Sequence, residues 1–278
     1  MLESGSVSPD DLVWYDGLPE WRSLSTLFPG VTSNIQGRKP TSASKRSDDD
    51  LGEESYFSWI LDSFSYPFRG DGCLILAAGS IFLTVLGFLS SIGRFWAFSL
   101  TVFYLGYTAS MLQSVLNGSG QGESVLPKWP DFTDWYSDII DPALKWIGTF
   151  ALVLGPGLVA LFFVHPAIGV GLLVLGALYL PMAFMLVSMF DTLAALNPLI
   201  GLRSIGAIVG HYFLTLVVFG LLIGINALTG EVGDMVSGIP MKIVAAFIDG
   251  FNHLFSAVTF ARILGGLYRV NRHRLGWF

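Results

Sequence analysis

The chain has 278 residues, of which 53% are hydrophobic and only 13% are charged, whereas a typical soluble domain carries about 25% charged residues. The formal net charge of −6 comes mainly from the first 65 residues, and the sequence has no large basic patch, which argues against nucleic-acid binding. The single Cys73 excludes an intrachain disulfide and a cysteine-based metal site. The polar, acidic start predicts no secretory signal, so we expect the first hydrophobic helix to begin insertion.

Residues 1–30 predict a small fragment of β structure. A β-like run at 12–15 is followed by Asp16-Gly17, a turn signal typical of hairpins. Trp21 offers a second aromatic ring to Trp14. The pattern Gly5-x-Val7-x-Pro9-x-x-Leu12-Val13-Trp14-x-x-Gly17-x-x-x-Trp21 resembles the C-terminal half of the bacterial GYF-like domain of the second type, over about residues 5–27.

The GYF-like resemblance implies peptide binding through an aromatic cluster, with Trp14 and Trp21 in that role. The leading half of the domain, with its first aromatic residues and its helix, would lie upstream of Met1, so we expect the module to be incomplete. So few residues cannot bury a core alone. A vestigial module is therefore the alternative to a working peptide-binding arm.

Residues 31–56 predict a disordered linker, because they combine low hydrophobicity with runs of charge and show no periodicity. The membrane domain then occupies residues 57–278. Aromatic residues crowd its beginning: Tyr56, Phe57, Trp59, Phe64, Tyr66 and Phe68. They predict an amphipathic segment at the level of the lipid headgroups, before the first span.

Hydropathy predicts six transmembrane helices, and hence an all-α integral membrane bundle. The stretch 146–190 contains no Asp, Glu, Lys or Arg, so no polar face recurs at helical spacing. The predicted spans are 73–90, 95–116, 143–164, 167–190, 205–228 and 242–268. Each has roughly the 17–25 residues that cross the hydrocarbon layer. His165-Pro166 predicts a tight turn between the third and fourth spans.

Lys and Arg residues predict the orientation. Before the first span lie Arg22, Arg38, Lys39, Lys45, Arg46 and Arg69, and after the last lie Arg269, Arg272 and Arg274. Positive charge at both ends requires an even number of crossings, which six satisfies. We therefore expect both termini on the cytoplasmic side of a bacterial inner membrane.

Two connections predict interfacial helices, at 126–136 and at 191–203, and Pro198 predicts a helix start after Asn197. These stretches and 261–269 resemble an uncharacterised bacterial family of multipass membrane proteins, of six-helix type, that often carries the GYF-like module. The resemblance covers about residues 60–275. It implies a six-helix bundle with interfacial helices and brings no activity with it.

The last span carries an unusual polar stripe. Its members step along one side of a helix: Asp249, Asn252, His253, Ser256, Thr259 and Arg262. Asp249 precedes His253 by one turn, so its carboxylate is placed to accept from the imidazole. Placing an ionisable group inside a bilayer is unfavourable in free energy unless the group faces protein. We therefore expect the stripe to face the interior of the bundle.

The fifth span is the predicted neighbour of the stripe. Two pairs of small residues at a spacing of four predict close approach of another helix: Gly206 with Gly210, and Gly220 with Gly224. In an antiparallel pair, Asn226 would lie near the depth of Asp249, and His211 near that of Thr259 and Arg262. These residues allow two interpretations. One is a path for protons, ions or a small solute; the other is a set of hydrogen bonds that fixes helix packing.

No motif predicts catalysis, a cofactor or a metal, and the four histidines lack metal-ligand spacing. The glycine-rich stretch 118–122 predicts a flexible loop. Ser119 with His211 or His253 would imitate an intramembrane serine protease, a remote alternative because Ser119 is predicted outside the bilayer. The sequence favours a non-enzymatic membrane scaffold or adaptor whose arm contacts a cytoplasmic protein or other membrane subunits. The alternative is a small transporter or channel-like protein.

Overall fold

The structure is a computed structural model in which residues 12–13, 22–23, 53–90, 94–127 and 136–277 are described, without the side chains of 12–13, 22–23, 53–55, 87–88, 90, 94–100, 102–103 and 234. Most of the described chain is helical. The helices are α1 (Glu53–Ser65), α2 (Gly72–Ser90), α3 (Arg94–Gln121), α4 (Asp141–Phe163), α5 (Pro166–Phe190), α6 (Pro198–Ala207), α7 (Val209–Met235) and α8 (Ile239–Leu275). Short 3-10 turns lie at Tyr66–Phe68 and Leu193–Ala195, and a π turn at Tyr136–Ile140.

The chain divides into two units, Met1–Asp50 and Leu51–Phe278. In the first unit, β1 (Leu12–Val13) pairs antiparallel with β2 (Arg22–Ser23). Two residues per strand are too few to establish a β-hairpin-like GYF module, which stays a prediction. Trp14 and Trp21, and most of the predicted linker, lie outside the described residues. The helix α1 begins at Glu53, inside the range predicted as linker.

In the second unit, α8 runs next to α2 and α3 in opposite senses. Gly79 of α2 lies against Leu254, while Gly250 lies against Leu83, so α2 is antiparallel to α8. Gly120 of α3 lies against Tyr268, near the end of α8, and α3 is parallel to α8. The chain thus reverses direction between α2 and α3.

The remaining long helices continue this alternation. Only two residues separate the end of α4 from Pro166, which begins α5, and His165 Nδ1 accepts from the Ala167 amide at 3.2 Å, which confirms the predicted turn. Gly157, Gly169 and Gly176 let these two helices pack with backbone close to side chain. Among the described helices, the six long ones form an up-and-down bundle, with α1 and α6 beside its C-terminal end, the end at which α8 terminates.

Four described helices are long and apolar enough to cross a membrane. They cover Tyr136–Phe163, Pro166–Phe190, Val209–Gly233 and Ile239–Leu275. A fifth crossing arises if Tyr56–Phe68 and Gly72–Leu86, which meet at a bend of 68°, are one broken span. The apolar windows of α4 and α7 are only 17% buried, so most of their apolar surface faces outward. Such a surface suits lipid rather than water.

The structure corrects two predicted boundaries. The fifth predicted span, 205–228, is interrupted at Ile208, whose φ and ψ of −130° and 30° separate α6 from α7. The stretch 118–121, predicted as a flexible loop, forms the last turn of α3. The predicted helix after Asn197 is confirmed, because Asn197 Oδ1 accepts from the Leu199 amide at 3.0 Å and caps α6.

Candidate functional site

Polar side chains link α7 to α8 in the half of the pair that is nearer their connection. Asn252 Nδ2 donates to Asn226 Oδ1 at 3.0 Å and lies 3.2 Å from the Thr229 hydroxyl. That hydroxyl is 3.3 Å from Asp249 Oδ1 and 2.9 Å from the Asn226 carbonyl oxygen, and its single proton serves one of them at a time. The predicted juxtaposition of Asn226 with Asp249 is therefore present, joined through Thr229, which sequence reasoning missed.

His253 lies beside Asp249 but not inside the bundle. Its Nε2 is 3.7 Å from Asp249 Oδ2, which is too long for a hydrogen bond and close enough for an ion pair when the imidazole is charged. The His253 side chain is 56% exposed and the Asp249 side chain 34%. The expectation that the whole stripe faces inward is therefore wrong at His253.

The middle of the stripe is buried and unpaired. Ser256 is 6% exposed and Thr259 is 0% exposed. Neither hydroxyl has a hydrogen-bond partner among the described residues. Ser256 and Thr259 lie between Arg262 and the bonded polar group formed by Asn226, Thr229, Asp249 and Asn252. The described members of the stripe therefore do not form one continuous chain of hydrogen bonds.

Arg262 has the densest contacts of the stripe. Its guanidinium carbon lies 4.0 Å from the ring centre of Trp59 and 4.4 Å from that of Tyr66. Nη1 donates to Ser119 Oγ at 3.2 Å and to the carbonyl oxygen of Glu123. The side chain is only 3% exposed, so its charge is held by two aromatic faces and oxygen acceptors.

A second set of contacts attaches α1 to the bundle. Trp59 Nε1 donates to the Arg262 carbonyl oxygen at 3.2 Å. The buried Tyr56 packs its ring 4.8 Å from that of His211 and shares a hydrogen bond with Thr215. The predicted amphipathic segment is thus docked into protein on one side, while Phe57 remains exposed on the other.

His211 lies deeper toward the C-terminal end of the bundle than predicted. Asn271 Nδ2 donates to the Leu267 carbonyl oxygen, which leaves Asn271 Oδ1 to accept from His211 Nδ1 at 2.9 Å. This level is about 13 Å beyond Arg262 at 1.5 Å per helical residue. His211 therefore does not join Thr259 and Arg262. Since Ser119 bonds Arg262, the structure does not assemble the serine-protease arrangement either.

The predicted packing glycines do not pack within the described chain. A Cβ built on any of them meets no atom within 4 Å: Gly206, Gly210, Gly220 and Gly224. The close approaches involve glycines of α8 instead. A Cβ on Gly265 would lie 2.5 Å from the Leu116 carbonyl oxygen, and one on Gly266 would overlap the Trp59 indole. The spacing rule pointed to the wrong helix, because it carries no information on which face of a helix a neighbour covers.

Asp191 forms a polar junction that joins three helices. It caps α5 in the left-handed conformation, with φ 53°, and accepts from Lys145 of α4 at 2.6 Å and Gln113 of α3 at 2.8 Å. Burial raises the pKa of Asp191, but the hydrogen bonds from Lys145 and Gln113 together outweigh it and hold that pKa below its ordinary value. Sequence analysis singled out this position only as the start of an interfacial segment.

A cavity of about 450 Å³ reaches part of the stripe. His253, Ser256 and Asn226 line it, together with apolar residues of α3, α4, α5, α7 and α8, whereas Asp249 does not. Comparisons with family models, with curated proteins and with solved structures found no match to this chain. The site is therefore interpreted from its own geometry.

Proposed function

We propose that this chain is a multipass protein of the bacterial inner membrane that acts as a non-enzymatic scaffold or adaptor. The observation that carries the proposal is the attachment of α1, the last element before the membrane helices. Arg262 of α8 lies between Trp59 and Tyr66, and Tyr56 is buried against α7. A segment that only rests among lipid headgroups does not require a buried cation to hold it. The N-terminal arm is therefore followed in the chain by a helix that is held against α7 and α8.

The contacts within the polar stripe support this reading over a conducting path. Asn226, Thr229 and Asn252 bond to one another between α7 and α8, as interhelical hydrogen bonds that fix packing do. Most of the lining of the adjoining cavity is apolar. A path for ions calls for a succession of polar groups along a shared, hydrated cavity.

The proposal also includes the topology: six membrane crossings with both termini in the cytoplasm. The six long helices alternate in direction, and α1 and Trp277 both lie at the C-terminal end of the bundle, where Trp277 bonds Ser204 of α6. Described cations gather at that end: Arg69, Lys145, Arg203, Arg262, Arg269, Arg272 and Arg274. The positive-inside rule favours assigning that end to the cytoplasm.

Deleting residues 1–52 tests the scaffold role, because the deletion stops before Glu53 and leaves the attachment of α1 intact. Proteins crosslinked in living cells to the full chain and to the deletion variant are purified in detergent and compared by quantitative mass spectrometry. The scaffold reading expects a defined set of cytoplasmic proteins to be lost with the arm. An unchanged set in a correctly inserted deletion variant contradicts the scaffold reading.

A small transporter is the second candidate, favoured by the cavity that reaches His253. Its test is Asp249→Asn in proteoliposomes loaded with a pH-sensitive dye and exposed in turn to proton and monovalent-cation gradients. Loss of a flux present in the native protein, at normal assembly, supports the transporter. The absence of flux in the native protein, or impaired assembly of the variant, supports packing.

A further inference from the structure

The cavity between the α4–α5 hairpin and the α7–α8 pair has the form of a ligand site. Its volume of about 450 Å³ lies in the range of roughly 300–1,000 Å³ that is common for small-molecule sites. Thirteen of its sixteen lining residues are apolar. From His253 to Leu264 the α8 lining extends about 17 Å at 1.5 Å per residue, so the cavity is elongated along the helix.

The ends of this cavity differ in polarity. Its three polar residues, Asn226, His253 and Ser256, lie together toward the start of α8. The other end is bounded by aliphatic and aromatic side chains. Two ring pairs line its sides, Trp146 with Phe184 on α4 and α5 and Phe219 with Phe260 on α7 and α8, each with ring centres 4.4 Å apart.

Ser256 is the unexplained polar group of the cavity. Its residue is 6% exposed, and its buried hydroxyl has no hydrogen-bond partner among the described residues. A serine or threonine inside a helix commonly donates to the carbonyl four residues earlier, as Thr149 does to Lys145 at 2.7 Å. Burial of an unpaired hydroxyl is unfavourable, so a ligand oxygen at Ser256 would relieve that cost.

The neighbouring groups restrict the ligand head. Asn226 already donates to the Leu222 carbonyl and accepts from Asn252, which leaves one amide hydrogen and one lone pair of Oδ1. The Asp249 carboxylate beside His253 disfavours an anionic head. A small, uncharged hydroxyl is the head that suits Ser256 and His253.

The cavity also opens to the outside of the bundle. Phe150, Ile223 and His253 line it and are exposed. Around them the surface of α4 and α7 is largely apolar and exposed, which is the surface assigned to lipid. A ligand that enters here comes from the bilayer.

We propose that this cavity binds a single-chain, uncharged amphiphile from the membrane, with its hydroxyl at Ser256 and His253 and its hydrocarbon chain directed toward Leu264. The chemical class is that of a long-chain alcohol. The site goes beyond the scaffold role and does not depend on it.

The probe is 1-hexadecanol carrying a diazirine in its chain, photolysed with the full-length protein in detergent. The variants are Ala257→Trp, which fills the cavity, and Ser256→Ala, which removes the hydroxyl. The matched control is Ala246→Trp, on an exposed position of the same helix outside the cavity lining. Labelled peptides are mapped by mass spectrometry, and unlabelled 1-hexadecanol and hexadecane serve as competitors.

Saturable labelling of 219–226 or 253–264 is expected, displaced by 1-hexadecanol more strongly than by hexadecane. Ala257→Trp should reduce labelling at least tenfold, while Ala246→Trp leaves it unchanged. Ser256→Ala should weaken binding about fivefold, the effect of one hydrogen bond, which keeps the test decisive if Ala257→Trp fails to fold. Equal competition by hexadecane, labelling that does not saturate, or a Ser256→Ala variant with native affinity would overturn the proposal.

Discussion

At the scale of single residues, Arg262 has more described side-chain contacts than any other member of the polar stripe. It is nearly fully buried, yet it contacts aromatic rings, a hydroxyl and a backbone carbonyl, so its charge is dispersed over several partners. The sequence predicted that Arg262 belongs to the polar stripe and that the aromatic residues at 56–68 form an amphipathic segment. The contact between Arg262 and this segment was not predicted, because Trp59 lies 203 residues before Arg262 and a single sequence carries no signal for such a contact.

Replacing Arg262 with Ala should release α1 without unfolding the bundle. Loss of the cation–π contacts and hydrogen bonds is expected to lower the free energy of unfolding in detergent by about 2 kcal/mol. Hydrogen exchange of residues 53–65 should accelerate, as measured by mass spectrometry. Arg262→Lys should give an intermediate effect, because it keeps the charge but loses the planar stack.

The exposed Arg203 of α6 provides the control for Arg262. Arg203→Ala removes the same charge at the same end of the bundle, and it should leave exchange in α1 unchanged. Slow exchange in α1 of the Arg262→Ala variant would show that Tyr56 and its neighbours suffice to hold α1.

Asp191 gives the molecule a predicted dependence on pH. Its pKa is lower in the folded state than in the unfolded state, so its stabilisation is present above the unfolded value of about 3.9. That stabilisation is lost as the pH falls through the depressed folded-state pKa. Thermal unfolding in detergent should therefore show a fall in Tm below about pH 4 that is smaller in Asp191→Asn.

The control for Asp191 is Glu231→Gln, on an exposed position of α7. This variant should follow the native Tm profile over the whole pH range. If Asp191→Asn follows it as well, the junction with Lys145 and Gln113 does not contribute to stability.

At the scale of elements, glycine content alone does not identify a packing face. Both α7 and α8 contain glycines, but those of α8 lie against side chains, whereas Gly210, Gly220, Gly224 and Gly230 of α7 have no described atom within 4 Å of a built Cβ. Periodicity predicted helical character throughout 205–228. It missed the break at Ile208, because neither Gly nor Pro occurs at the break itself, although Gly206 and Gly210 flank it. The presence of a helix can be predicted from composition. The neighbour that each face of the helix contacts depends on tertiary packing.

Substitution of glycine by alanine should have different effects on α8 and α7. Gly266→Ala should lower the free energy of unfolding by about 1–3 kcal/mol, since its Cβ overlaps the Trp59 indole and overpacks the contact. Gly220→Ala on α7 should be neutral or stabilising by up to about 1 kcal/mol, because the site is open and alanine favours the helix. Thermal unfolding in detergent measures both, and equal effects would contradict the packing described.

At the scale of the whole molecule, long uncharged stretches predicted the α4–α5 hairpin almost to the residue. They are less informative for α3, whose helix is present but which is not among the four described helices apolar enough to cross a membrane alone. The cavity has no counterpart in the sequence, because its lining comes from five helices and depends on how their faces meet.

Cysteine labelling tests the proposed topology. In a Cys73→Ser background, His165→Cys places a thiol in the turn between α4 and α5, and His273→Cys places one near the end of α8. Both positions are exposed. A membrane-impermeant maleimide should label His165→Cys in intact cells stripped of their outer membrane, and label His273→Cys only after permeabilisation. Labelling of both positions from outside would remove the assignment of the C-terminal end to the cytoplasm.

The central place of α8 has a consequence for biosynthesis. It packs against α1, α2, α3 and α7, all of which the ribosome makes before it. Earlier hairpins such as α4–α5 can associate as they enter the bilayer, but the surroundings of Arg262 are completed only when α8 has been synthesised. A nascent chain that stalls before residue 239 therefore leaves the groups that would surround α8 open to quality-control proteases.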